Sequence, residues 1–293
     1  MCITLPSEKQ NERMTEPNHN RQLKIANIND ISGFGRCSVA VALPIISRLG
    51  VQCCPLPTAI FSNHTGFKSF FHYDFTEHME AYMEEWKKLS LSFDGILTGF
   101  LSSVEQIDFV LRFFEQFSTQ DTTVIVDPVM GDYGKLYCTY TDELASRMRK
   151  LLPYADIITP NLTEACFLAG TEYRAGFSEH MLLQLAESLS AMGPRKVVIT
   201  GVEDGDSMVS YCYEHGKGGQ AVRTLKVDSH RSGTGDVFSA IIAAGAVKKV
   251  PFVQSVITAS DFVRECILAS ERLNTPATDG MCFEEVIDKL SFK

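Results

Sequence analysis

The sequence lacks three features that would assign it to a specialised class of protein. It has no basic excess, since 27 Lys and Arg stand against 36 Asp and Glu and the formal charge is −9, which argues against a nucleic-acid-binding face. It has no apolar span long enough to cross a bilayer. Its nine cysteines are scattered and lack paired zinc spacing. We therefore expect reduced, mostly buried thiols in a cytoplasmic protein without nucleic-acid or membrane partners.

Linkers and internal repeats are missing as well. No stretch rich in Pro, Ser or Gly divides the 293 residues, of which 45% are apolar and 22% charged. This composition is typical of one large globular domain. Residues 1–22 are polar and have no apolar core, so we predict a disordered extension there and a single domain over 23–293.

Short β-type runs alternate with helical patterns from Leu23 onward, which predicts an α/β fold with a central, mostly parallel sheet and helices on both faces. Two further runs, 207–213 and 220–227, alternate around a Gly-rich turn and predict an antiparallel hairpin at one sheet edge. The other predicted strands are 23–28, 51–60, 95–98, 122–126, 156–158 and 196–200. The predicted helices are 37–49, 75–89, 104–117, 142–151, 161–169, 178–192, 236–247, 252–273 and 283–290.

The most informative motif is the stretch Arg-Ser-Gly-Thr-Gly-Asp at 231–236, which runs directly into an apolar segment. Gly233 and Gly235 let the backbone turn tightly, and a helix that begins there adds the positive end of its dipole. A phosphate would bind readily at such a turn. Asp236 could then take a proton from a hydroxyl that attacks the phosphate. The alternative is a Gly-rich turn with an Asp in the first helical turn.

Polar residues follow nearly every predicted strand, where open α/β sheets bind their ligands. Any one of them could instead be a cap or a turn former. The loop 61–67 carries four hydrogen-bonding side chains between aromatic residues, a mixture that suits a flat heteroaromatic ligand. A capped loop with surface aromatics is the alternative. The polar positions are Asn29, Asp30, Ser62, Asn63, His64, Thr65, Asp127, Thr159, Asn161, Thr200 and Gly201.

Two acidic residues are candidates for a magnesium site. Asp127 follows a buried strand and could help to hold Mg²⁺, which proteins bind with few carboxylates and the phosphates of the substrate. It could also cap the next turn. Asn161 stands three residues before Glu164, which fits a capping box, yet Glu164 would lie near the same crevice and could bind the metal or its water. Asp132 could serve the metal or substrate, or lie on a mobile flap that continues to Tyr137.

Together, these motifs resemble the pyridoxal kinase group of the ribokinase-like superfamily. The resemblance extends from Leu23 to the C-terminal helices and implies the ribokinase-like fold. Its specific blocks are Phe61-Ser62-Asn63-His64-Thr65-Gly66, Asp127-Pro128-Val129-Met130-Gly131-Asp132, 155–161 with Glu164, 197–200 and Gly233-Thr234-Gly235-Asp236.

The resemblance implies transfer of the ATP γ-phosphate to the 5′-hydroxymethyl group of pyridoxal, pyridoxamine or pyridoxine. It also implies a dimer that requires Mg²⁺ and is often activated by K⁺. By position, Asp236 looks like the base, Gly233, Thr234 and Gly235 like the anion hole, and Asp127 and Glu164 like the metal ligands. The implied substrate residues are Asp30, Ser62, His64, Thr65 and Phe100, and the implied nucleotide residues are Thr159, Asn161, Thr200, Gly201 and Ser232.

Two departures from the family pattern leave the preferred vitamer open. Asp30 stands where many pyridoxal kinases carry a serine, and Phe100 where a tyrosine is common. Asp30 could pair with a protonated pyridine nitrogen or a ligand amine, so pyridoxamine is one hypothesis. Lys135 or Arg231 could support the γ-phosphate. A hydroxymethylpyrimidine kinase of the same fold and a non-catalytic vitamer-binding protein are the rival functions.

Overall fold

The computed structural model describes residues 18–137 and 140–292, and within them the chain forms eleven strands and eight α-helices. The strands are β1 Lys24–Phe34, β2 Gln52–Asn63, β3 His72–Asp74, β4 Gly95–Thr98, β5 Thr123–Val126, β6 Gly131–Asp132, β7 Lys135–Leu136, β8 Ile157–Ile158, β9 Lys196–Asp204, β10 Ser207–Glu214 and β11 Gly218–Leu225. The helices are α1 Ser38–Arg48, α2 Thr76–Lys88, α3 Val104–Phe117, α4 Asp142–Met148, α5 Leu162–Ala169, α6 Glu179–Ser190, α7 Thr234–Val247 and α8 Phe252–Leu273.

Nine strands form one sheet in the order β11-β10-β9-β8-β5-β4-β1-β2-β3. The six strands from β9 to β2 are parallel to one another. Antiparallel strands close both edges, with the β10–β11 hairpin at one and the short β3 at the other. The predicted mostly parallel sheet with an antiparallel edge hairpin is confirmed. β3 was not predicted, because three residues carry too little pattern to read.

Helices cover both faces of the sheet and bury a core on each. Helices α1, α7 and α8 pack on one face, and helices α2 to α6 pack on the other. Helix α7 is apolar nearly all round because it lies between the sheet and its two neighbouring helices. Its N-terminus is therefore held rigidly at the carboxyl ends of the strands. No helix among the described residues is both apolar enough and long enough to span a membrane.

Two predicted helices differ from the structure. Residues 283–290 form separate 3₁₀ turns, Phe283–Glu285 and Ile287–Lys289, because packing of Phe283 and Leu290 into the core governs a segment too short to sustain an α-helix alone. The helix predicted at 142–151 ends at Met148 and continues as a 3₁₀ turn, Arg149–Tyr154.

The predicted extension lies outside the described residues except for 18–22, so the extension and the single domain stay predictions. The seven cysteines within the described segments are free, and five of them are buried. Their burial agrees with the expectation of mostly buried thiols.

Candidate active site

A cavity of about 840 Å³ opens at the carboxyl ends of the parallel strands. The glycine turn before α7 and the loop that carries Thr65 both line it. Of the residues predicted for the site, the cavity brings together Asp30, His64, Thr65, Phe100, Asp127, Thr159, Asn161, Glu164, Thr200, Gly201, Ser232, Gly233, Thr234, Gly235 and Asp236. Ser62 is absent from its lining.

The glycine turn has the geometry of an anion site. Gly233 is the N-cap of α7 with φ +84°, and a Cβ atom on it would lie 2.0 Å from the carbonyl oxygen of Arg36, so no other residue fits without displacing the turn. The first intrahelical hydrogen bond runs from the Val237 N–H to the Gly233 carbonyl at 3.0 Å. The N–H groups of residues 234–236 precede that bond and face out of the helix end, where an anion is favoured.

Asp236 lies in the first turn of α7 and faces the cavity. Asn29 Nδ2 donates to its Oδ1 at 3.4 Å, and the backbone N–H of Ser38 donates to the same carboxylate. Burial raises the pKa of Asp236 above its ordinary value, and these two donors partly offset that rise. The result is a half-buried carboxylate that faces the cavity and is held by these donors, which are properties required of a general base.

Asp30 is a second carboxylate in the cavity wall and is only 4% exposed. Ser32 Oγ donates to it at 3.0 Å and the Ser38 hydroxyl also donates to it. The pKa of Asp30 is raised to about 6, chiefly by burial and in part by the nearby charge of Asp236, while the hydrogen bonds from the two serine hydroxyls lower it. A cationic ligand group in this part of the cavity would relieve the unfavourable burial.

Asp127 and Glu164 are two further buried acids in the cavity lining. Burial raises the pKa of Asp127 to about 7, with a further contribution from the charge of Asp236. Burial also raises the pKa of Glu164 well above its usual range, and the charge of Asp127 adds to the effect. The described residues contain no cluster of three His, Cys, Asp or Glu suited to a metal. A cation here would therefore depend on ligand phosphates for the rest of its coordination.

Glu164 also holds the loop that follows Asp127. Its Oε1 accepts from the Met130 N–H at 3.0 Å and its Oε2 from the Asn161 N–H at 2.8 Å. Asn161 Oδ1 accepts from the Glu164 N–H at 2.9 Å, which completes a capping box. Asn161 Nδ2 donates to the Gly131 carbonyl at 2.8 Å. The capping box predicted for this pair is therefore confirmed, and both residues also line the cavity.

Two residues of the aromatic loop stabilise the loop itself. His64 Nε2 contacts the Thr278 carbonyl at 2.7 Å and its Nδ1 accepts from the Gly66 N–H at 3.1 Å, so both ring nitrogens contact backbone groups. Ser62 Oγ donates to Asn63 Oδ1 at 2.7 Å and accepts from the Phe71 N–H at 2.8 Å. Ser62 therefore does not line the cavity, because its hydroxyl is engaged in hydrogen bonds with Asn63 and Phe71 of the same segment.

Aromatic rings form the wall beside Asp30. Phe61 and Phe100 meet at 5.8 Å and 71° between their ring planes, and Phe100 meets Tyr140 in the same manner at 6.1 Å. Thr58 Oγ1 donates to the Phe100 carbonyl at 2.8 Å. The combination of edges and faces suits a flat ring.

The two basic residues predicted to support the γ-phosphate, Arg231 and Lys135, differ in their contacts. Arg231 is held by the C-terminal segment, since it donates to Glu271 Oε1 at 2.8 Å and to the Thr275 carbonyl at 3.0 Å, and its side chain is only 4% exposed. It is committed to structure and not to a phosphate. Lys135 lies on the β6–β7 ribbon and lines the cavity. The same ribbon contacts the segment before the glycine turn through a hydrogen bond between Tyr133 and His230.

Asn29 and Ser38 carry contacts that the sequence did not reveal. Asn29 was noted only as a polar residue after a strand, and Ser38 was read as an ordinary helical residue. Ser38 has φ +54°, an uncommon conformation for a residue with a side chain. Nothing in the sequence around Ser38 predicts this backbone conformation, and it is seen only in the structure.

Comparison with known proteins places the chain in a family. The model of the phosphomethylpyrimidine kinase family matches residues 43–280. The chain belongs to this family. It is 32% identical over 213 residues to pyridoxal kinase of Arabidopsis thaliana, which covers 67% of this chain and 65%, just under two thirds, of the plant protein. It is 28% identical over 250 residues to hydroxymethylpyrimidine/phosphomethylpyrimidine kinase of Rhizobium meliloti, covering 82% and 88% of the two chains.

A solved structure supports the same assignment. A putative phosphomethylpyrimidine kinase from Bacteroides thetaiotaomicron, crystallised with pyridoxal, superposes with a TM-score of 0.89 at 36% identity, covering 92% of this chain and 96% of that one. The resemblance to pyridoxal kinases of the ribokinase-like superfamily is thereby confirmed, as is the fold class. The matched relatives are named as pyridoxal kinases or as hydroxymethylpyrimidine/phosphomethylpyrimidine kinases.

Proposed function

We propose that this protein is an ATP-dependent kinase that phosphorylates the 5′-hydroxymethyl group of a B6 vitamer. The observation that carries the proposal is a single cavity that contains the glycine turn, Asp236 and the aromatic loop. The pyridoxal bound to the Bacteroides relative supports the choice of vitamer. ATP consumption with each of the three vitamers tests the proposal, and no turnover with any of them would contradict it.

The proposed reaction needs positioning and charge neutralisation more than covalent catalysis. The vitamer hydroxyl oxygen attacks the γ-phosphorus as its proton passes to Asp236. The bond from phosphorus to the bridging oxygen breaks, and ADP leaves with that electron pair. The N–H groups at the start of α7 stabilise the charge on the transferred phosphoryl group. Residues Thr159, Asn161, Thr200, Gly201 and Ser232 line the nucleotide side in this proposal.

Asp127 and Glu164 fit a magnesium ion bound together with the nucleotide. They are two buried oxygen donors whose pKa values are raised first by burial, with the charge of Asp236 adding to the rise at Asp127 and the charge of Asp127 adding to it at Glu164. A divalent cation would offset both effects. When bound, Mg²⁺ would neutralise phosphate charge. K⁺ activation, a homodimer and a cytoplasmic location stay predictions.

Within this function, we propose that Asp30 favours a vitamer with a cationic group. A serine at this position offers a neutral hydrogen bond, whereas a buried carboxylate offers a charge-assisted one. We expect Asp30→Ser to lower kcat/KM for pyridoxamine more than for pyridoxal or pyridoxine. The measurement is the ratio of the three specificity constants, with Asp30→Asn as the isosteric control. Equal ratios in wild type and Asp30→Ser would remove Asp30 from vitamer selection.

The second candidate is a hydroxymethylpyrimidine kinase. The name of the family model and the Rhizobium relative favour it, and Asp30 could also contact an aminopyrimidine. The same ATP-consumption assay with hydroxymethylpyrimidine separates the two, because a larger kcat/KM for the pyrimidine than for every vitamer would reverse the assignment.

A further inference from the structure

Asn29 makes three hydrogen bonds at the centre of the cavity floor. Its Oδ1 accepts from the backbone N–H of Asp30 at 2.9 Å and from that of Phe100 at 2.8 Å. Its Nδ2 donates to Asp236 Oδ1 at 3.4 Å. Asn29 is only 4% exposed, and its hydrogen bond with Asp30 is buried while those with Phe100 and Asp236 are partly buried.

The orientation of this amide is determined by its neighbours. A flipped Asn29 would direct its NH₂ group at two backbone N–H donors and its carbonyl oxygen at a carboxylate, leaving all three contacts repulsive. Gly99 reinforces the constraint, because a Cβ atom there would lie 2.4 Å from the Asn29 amide. The Asn29 amide therefore packs against the backbone of Gly99, and only one of its two possible orientations satisfies the neighbouring groups.

We infer that Asn29 is the positioning residue for Asp236, and this inference rests on the proposed function. Asn29 accepts from the Phe100 N–H in the loop between β4 and α3 and donates to the Asp236 carboxylate, so it holds that carboxylate beside the loop. It also offers a donor that stabilises the ionised base. The titratable groups near Asp236 are Asp30, Cys37, His64, Asp127 and Tyr137, and none of them supplies this amide donor.

The decisive variant is Asn29→Asp. It keeps the size of the side chain and the oxygen that accepts from Asp30 and Phe100, but it replaces the donor with a second carboxyl oxygen facing Asp236. Two carboxyl groups that lie this close cannot both ionise readily, so the pair retains a proton to higher pH. Because the added carboxyl repels Asp236 whatever Asn29 does in the wild type, Asn29→Ala, which removes the donor without adding charge, is the matched variant that tests the amide donor itself.

The experiment measures kcat and KM against pH for wild type, Asn29→Asp and Asn29→Ala, with thermal unfolding of each. We expect the acid limb of the Asn29→Asp profile to move to higher pH, with a loss in kcat of about tenfold for each pH unit of displacement and recovery at high pH. The KM for ATP should be unchanged. Asn20→Asp adds the same charge before the amino-terminal end of β1, where Asn20 contacts Ser90 and Ser92 outside the cavity lining, and should keep the wild-type profile.

A second readout keeps this test separate from the proposed function. Carbon-13 NMR of labelled aspartate, assigned by comparison with Asp236→Asn, reports the pKa of Asp236 in folded protein without turnover. A higher Asp236 pKa in both Asn29→Asp and Asn29→Ala supports the inference. A folded Asn29→Ala protein with the wild-type pH profile and the wild-type Asp236 pKa would overturn it. Wild-type protein that phosphorylates no substrate would instead overturn the proposed function.

Discussion

Replacing Asp236 by asparagine is the most direct perturbation of the proposed mechanism. The two side chains have the same shape, and the amide oxygen of the introduced asparagine can still accept from Asn29 and from the Ser38 N–H. The fold should therefore tolerate the change. The charge of Asp236 raises the pKa of both Asp30 and Asp127, so its removal lowers both values and relieves repulsion within the cavity.

The expected effect of Asp236→Asn falls on turnover. Loss of a general base costs roughly 10²–10⁴ in rate, which corresponds to about 3 to 5 kcal/mol of activation free energy. Vitamer and ATP should still bind, because the glycine turn and the aromatic wall are untouched. Coupled measurement of ADP release gives kcat, and calorimetric titration gives both affinities.

The control is Asp261→Asn, which removes an equal charge from an exposed position on α8 and should retain wild-type turnover. If Asp236→Asn keeps its turnover within about tenfold of wild type, the residue is not the base. A variant that loses binding as well as turnover would show that Asp236 organises the site and does more than accept a proton.

The raised pKa values also predict how stability depends on pH. Asp30 and Asp127 bind protons more tightly in the folded than in the unfolded chain, so the stability they contribute is full below pH about 4 and is lost as pH rises through about 6 and 7. The melting temperature of ligand-free protein should fall from pH 5 to pH 8, and an equal fall in Asp127→Asn would contradict this. Gly233→Ala should displace the glycine turn, destabilise the fold by roughly 1–3 kcal/mol and weaken ATP use, whereas Gly235→Ala, with open space around it, should retain stability in the same melting assay.

Local patterns predicted the parts of the site that are local in the chain. The glycine turn, the start of α7 and the capping box at Asn161 each depend on residues within a few positions of one another, and propensity and capping rules describe such segments well. The strand ends were predictable for a related reason, because a parallel sheet brings its carboxyl ends to one edge.

Contacts between distant segments were not predictable in this way. Asn29 and Asp236 are 207 residues apart in the chain, and nothing beside either residue indicates their hydrogen bond. Arg231 was a candidate phosphate ligand because of its place beside the glycine turn. Its partner Glu271 lies 40 residues away, and only the path of the C-terminal segment shows that the guanidinium is already bound.

The acids of the cavity connect stability with the proposed chemistry. Asp30, Asp127, Glu164 and Asp236 all have raised pKa values, and burial is the largest cause for each. Backbone amides and hydroxyls satisfy part of their hydrogen-bonding capacity but bring no full positive charge, and Arg231, a nearby cation, is paired elsewhere. Because carboxylates removed from water without a counter-charge cost stability, the ionised forms of these four acids reduce the stability of the ligand-free protein. In the proposed function, a cationic vitamer and a divalent ion would supply positive charge beside these carboxylates, so that binding of either ligand would also reduce the cost of their burial.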